Sequence, residues 1–67
     1  MKILYNIDND LYCDEIKEIY YNSENEELVV VDLFSDENSL TFSMSESLAR
    51  SFIFEIYEKG KINLIGF

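Results

Sequence analysis

Histidine, proline, tryptophan and glutamine are absent from this chain, cysteine occurs once and glycine twice. Without histidine, and with Cys13 alone, there is no ligand set for zinc and no internal disulfide. No imidazole can activate Cys13, which reads as a small buried or half-buried apolar residue rather than a nucleophile. Two glycines cannot build a phosphate-cradling loop. Lysine and arginine are scarce, five against 14 Asp and Glu, a formal net charge of −9. That balance argues against binding to nucleic acid or an anionic membrane, both of which rest on lysine and arginine to neutralise phosphates. No apolar run approaches the roughly 20 residues that span a bilayer, and the N-terminus lacks the pattern of a secretory signal, so a cytoplasmic protein is expected.

Apolar residues nevertheless make up 48% of the 67 positions, too many for a disordered acidic tail. The chain reads as a single small domain, residues 1–67, of a size whose core is marginally stabilising unless something is added. With disulfides and metals excluded, oligomerisation or partner binding is the addition left open.

The clearest element is a helix over about 44–59. Ser43 with Glu46 fits a capping box, and Lys59 before Gly60 fits a basic last turn closed by a left-handed glycine. Leu48, Ala49, Phe52, Ile53 and Ile56 fall on one stripe, while Tyr57 lies at its margin and Phe54 points away. Around this helix the chain reads as strands. Residues 1–7 alternate, and Asp8, Asn9 and Asp10 favour a hairpin turn. Residues 11–21 match helical spacing at Tyr12, Ile16, Ile19 and Tyr20, yet their β-branched and aromatic content favours a strand. Residues 27–34 are apolar on both faces, as in a covered central strand. Residues 40–44 alternate after a turn at 35–39, and 61–67 supply a last strand. The fold class is α+β: a four- to five-stranded, mostly antiparallel sheet with one C-terminal helix on one face, followed by a short final strand. One helix covers one face, so the far face is left either for another chain or for residues 12–21 to fold over.

Chemistry is thinly represented. The pairs Asp14 and Glu15, or Asp36 and Glu37, lack any sign of a cleft that would split their pKa values. The run from Asp8 to Asp10 fails as a calcium loop, because its fifth, sixth and twelfth positions hold Tyr12, Cys13 and Ile19. No catalytic residue, metal ligand or cofactor site is assigned, and the chain is not read as an enzyme.

The acidic turns carry more information. Glu24, Glu26 and Glu27 lie before the central strand, and Asp36 and Glu37 after it, with Asp14, Glu15 and Glu18 on the preceding strand. Alternate positions on one strand face stand about 6.6 Å apart, so a row of carboxylates there would present charge much as a nucleic-acid backbone does. Phe54 and Tyr57 are the candidate apolar anchors. Short, acidic and without catalytic residues, the chain is similar, at the level of class, to anti-CRISPR and anti-restriction inhibitors; no motif of a named family is matched. Together with an amino-acid bias like that of AT-rich phage or bacterial genes, this gives the expectation of an inhibitor from a phage or mobile element. It would act as a nucleic-acid mimic in the basic groove of a nucleic-acid-handling host defence enzyme, through Glu24, Glu26, Glu27, Asp36, Glu37, Phe54 and Tyr57. The alternative is a homodimerising structural or adaptor domain. A nucleotide-binding sponge is disfavoured by the shortage of basic groups.

Overall fold

The computed structural model describes residues 1–34 and 39–66. The elements run β1 (Lys2–Ile7), β2 (Asp10–Asn22), β3 (Glu27–Asp32), β4 (Ser39–Ser43), α1 (Glu46–Lys59) and β5 (Lys61–Asn63). This is the α+β class that the sequence indicates, with residues 10–22 a strand. The expected turn at 35–39 and the contact residues Asp36 and Glu37 fall, except for Ser39, outside the described residues.

Local chemistry fixes each connection. Asp8 and Asn9 take φ of 51° and 72° between the paired residues Ile7 and Asp10. A two-residue turn with both centres left-handed matches the twist of a hairpin, and Asp and Asn tolerate that region. The β2–β3 turn is stabilised at Asn22, whose Oδ1 accepts the Glu24 amide at 3.0 Å, and it holds Glu26 at φ 53°. The helix is capped by Ser45, whose Oγ accepts the Leu48 amide at 3.3 Å. The capping box expected at Ser43 is therefore corrected. Ser43 still pairs with Glu27 in the sheet, which commits its backbone to β4 and moves the first free cap position to Ser45. Gly60 ends the helix at φ 78°, its amide bonded to the Ile56 carbonyl.

Strands β1 to β4 form an antiparallel meander, and the helix carries the chain over the sheet so that β5 joins β1 in parallel, giving the order β4-β3-β2-β1-β5. β2 is the spine. Its first half pairs with β1 and its second with β3, and between Ile16 and Glu18 the register slips by one residue at Lys17. A bulge of this kind bends the strand and sharpens its twist. The sheet consequently curls. Tyr5 on β1 and Phe42 on β4 meet edge-on with ring centres 6.1 Å apart, although β2 and β3 separate their strands in the order. The molecule measures 26 × 25 × 23 Å.

Ile3, Ile16, Ile19, Leu28, Val30, Ile62 and Leu64 fill the concave side together with Ala49 and Ile56 of the helix, while Phe52 and Ile53 are half-buried at its margin. Ala49 is fully buried, and its small side chain lets the helix lie close on the sheet. The convex side is not covered by residues 12–21, because those residues are the sheet itself. Val29 is nonetheless buried there, flanked in register by Tyr20 and Thr41. Three further expectations are corrected. The last strand, expected over 61–67, stops at Asn63. β3 stops at Asp32, leaving Leu33 exposed and Phe34 83% exposed. Cys13 is exposed, because it pairs with Leu4 on the convex face rather than with the core.

Candidate partner-binding surface

No charged side chain among the described residues is buried, so the negative excess stands on the surface. Glu24 and Glu26 are exposed in the β2–β3 turn and Glu27 is half-buried at the start of β3. The turn is tied to the helix start: the Glu26 carbonyl accepts the Met44 amide at 3.2 Å, and the Tyr21 hydroxyl donates to the Met44 carbonyl at 3.2 Å. Burial, then the charges of Glu26 and Glu46, hold the Tyr21 phenol above its ordinary pKa of 10.0. The structure thus adds Glu46, which the sequence reading placed in a cap, to the acidic group at this end. Arg50 offsets part of it, with Nη2 3.2 Å from the Glu46 carboxylate.

The row of carboxylates expected along β2 does not form. Asp14 lies opposite Ile3 on the concave side and Glu15 opposite Lys2 on the convex side, and the bulge at Lys17 sets Glu18, opposite Val31, on the convex face with Glu15 and away from Asp14. Glu15 is moreover engaged by the N-terminal ammonium at 3.8 Å and by Lys2 at 3.7 Å. Phe54 is 71% exposed on the outer side of the helix, as expected, and Tyr57, expected at the margin of the apolar stripe, is 67% exposed. At about 1.5 Å per residue, Tyr57 stands roughly 16 Å along the axis from Glu46. The acidic turn and the aromatic pair therefore occupy different ends of the helix.

A second grouping was not singled out by the sequence. Tyr5 stacks on Tyr12 with ring centres 5.4 Å apart and planes 16° from parallel, meets Phe42 edge-on, and donates its hydroxyl to Asp14. Burial first, then the bond to Asp14 and the negative potential of Asp14, Tyr12 and Asp32, push the Tyr5 phenol up to about 12. Next to it a cavity of about 340 Å³ opens between Tyr5, Asn6 and Ile7 of β1 and the stretch from Leu40 to Ser43 of β4. A second cavity of about 290 Å³ lies by β5, lined by Leu4, Ile62 and Asn63 with Glu55 and Lys59, which pair one helical turn apart at 3.7 Å.

Among the described residues no group of three or more Cys, Asp and Glu side chains is placed to hold a metal ion, and no helix is long and apolar enough to cross a membrane. Comparison of the chain with protein families, with curated proteins and with solved structures finds no match.

Proposed function

We propose that this chain is a small acidic binding protein whose partner is a basic, nucleic-acid-handling protein. In the specific form of this reading it is encoded by a phage or mobile element. It would work in the cytoplasm, inhibiting a host defence enzyme of the kind that anti-CRISPR and anti-restriction proteins target. The observation that supports it is the surface placement of the charge. Ion pairs among the described residues engage Glu15, Glu46 and Glu55, and Glu24 and Glu26 project from an exposed turn. A surface of one sign focuses its field on an oppositely charged partner and raises the association rate. Because the carboxylates form a cluster around the β2–β3 turn and the helix start rather than a regular row, the mimicry is of charge and not of phosphate spacing. Pull-down of cell proteins on the tagged chain at low salt, followed by a salt wash, tests it. Recovery of a basic nucleic-acid enzyme that elutes as salt rises is the expected result; partner affinity indifferent to salt would sink the electrostatic reading.

A second reading, a homodimerising structural or adaptor domain, draws on the exposed aromatics Phe34, Phe54 and Tyr57. Light scattering at high protein concentration decides it, a monomeric mass counting against.

A further inference from the structure

The curled sheet is a barrel that does not close, and its two edges are not alike. On one side β5 is three residues long and begins at Lys61, the short, lysine-bearing kind of edge that discourages pairing with other strands. It covers β1 only from Lys2 to Leu4. On the other side β4 reads Ser-Leu-Thr-Phe-Ser, with no charge, proline or bulge, in a chain of which 28% of residues are charged. The cavity beside Tyr5 lies where these edges face each other, between β4 and the part of β1 that β5 does not reach.

The backbone directions follow from the ladders. Met44 donates to Glu26, which makes 44 with 26 a hydrogen-bonded pair; by alternation 42 with 28 and 40 with 30 are also bonded pairs. Thr41 and Ser43 therefore turn both their N–H and C=O away from β3, into the gap. On β1, Lys2 donates to the Gly60 carbonyl and Leu4 accepts from the Leu64 amide, so Asn6, two residues on, turns its backbone groups the same way. Its side-chain oxygen accepts the Gly66 amide at 3.0 Å, while β5 has already ended at Asn63. The gap is thus bordered by outward-facing main-chain donors and acceptors, beside an apolar wall of Leu40 and Phe42.

We infer that this gap is a docking slot for an extended, lysine- or arginine-bearing segment of the partner protein, added to the sheet as a strand along β4. Main-chain bonds to Thr41 and Ser43 supply the pairing, and alternate side chains of the segment fall on opposite faces. Charge selects the occupant. Among the described residues no lysine or arginine lines the gap, Asp8 follows the lining residue Ile7 and Asp10 pairs with it, and Asp14 and Asp32 act on Tyr5 at its inner wall. A cationic side chain entering there meets carboxylates and the rings of Tyr5 and Phe42, to which cations are attracted. A second copy of the chain would bring another −9 to the same place. This inference rests on the reading of the partner as basic, and specifies how it is held.

The probe is an end-blocked eight-residue peptide of alternating lysine and valine, with two further forms N-methylated on the lysine or on the valine amides and an alternating glutamate–valine control. Binding is followed by calorimetry and by amide exchange. The lysine–valine peptide is expected to bind and to slow exchange at Thr41 and Ser43, and at least one methylated form to bind at least about tenfold more weakly, since it loses two or more main-chain bonds. Thr41→Pro, which removes an outward N–H and no ladder bond and so suits an edge strand, is expected to weaken binding similarly while keeping native chemical-shift dispersion. Equal, salt-sensitive binding by all the lysine peptides would overturn the slot while leaving a basic partner in place. Binding by none of the peptides would overturn the slot, and the salt-wash pull-down then judges the basic partner separately. Protection of Thr41 and Ser43 that grows with protein concentration alone would assign the slot to a second copy and overturn it as well.

Discussion

The hydroxyl of Tyr5, on a ring only 5% exposed, donates to the carboxylate of Asp14 across the β1–β2 hairpin. The relationship ties the wall of the proposed slot to a proton. In the folded chain the Tyr5 phenol is raised to about 12 from an ordinary value of 10.0. Below pH 10 both folded and unfolded chains keep that proton and the stabilisation is present in full. As pH climbs from 10 towards 12 the unfolded chain ionises first and the stabilisation is lost. A shift of this size corresponds to a loss on the order of 2 kcal/mol. Urea midpoints measured from pH 9 to 12 should fall accordingly, and Tyr5→Phe should make that fall shallower.

The cap assignment separates two neighbouring serines. Ser45→Ala removes the oxygen that receives the Leu48 amide and should lower stability by about 1 kcal/mol. Ser43→Ala, at an exposed strand position, should change it by less than about 0.5 kcal/mol. Denaturant midpoints of the two variants give the comparison.

The two sides of the helix should respond oppositely. Ile56 is fully buried, and Ile56→Ala should cost about 2–5 kcal/mol, a large part of the roughly 3–10 kcal/mol available to a domain of this size. Phe54→Ser should leave the thermal midpoint nearly unchanged. If Phe54 anchors the partner, the same variant should reduce capture of the partner at a fixed salt concentration.

Glu26 combines an exposed carboxylate with a backbone in the left-handed region, a conformation that strains a residue with a Cβ by roughly 1 kcal/mol. Glu26→Asn, better tolerated there, should raise the denaturant midpoint while weakening association with a basic partner. A rise in both would detach this carboxylate from binding.

Much of the architecture was legible because the chain writes it locally. The Asp8-Asn9 turn sets the register of the first hairpin, and Gly60 ends the helix where the sequence places its end. Less legible was β2. Tyr12, Ile16, Ile19 and Tyr20 imitate helical spacing because the bulge at Lys17 shifts the frame of alternation: Ile16 and Ile19, three apart, both reach the core. Deleting Lys17 should turn the second half of β2 inside out, and loss of chemical-shift dispersion would show it. The Tyr5–Tyr12–Asp14 grouping was implicit in the hairpin register. Its junction with Phe42 depends on the curl of the whole sheet, which no local pattern encodes. The expected row of carboxylates is split because Asp14 and Glu15 are neighbours on a strand and face opposite sides of the sheet, and the bulge leaves only Glu18 beside Glu15.

The inequality of the two sheet edges also limits how this protein can associate with itself. Fibrillar growth by strand addition needs an acceptor edge at each end of the growing unit. Here one edge is five uncharged residues and the other is three residues beginning with lysine. Among the described residues, copies that meet through β4 leave outward only the short edge at β5, so extension beyond two by this route is disfavoured.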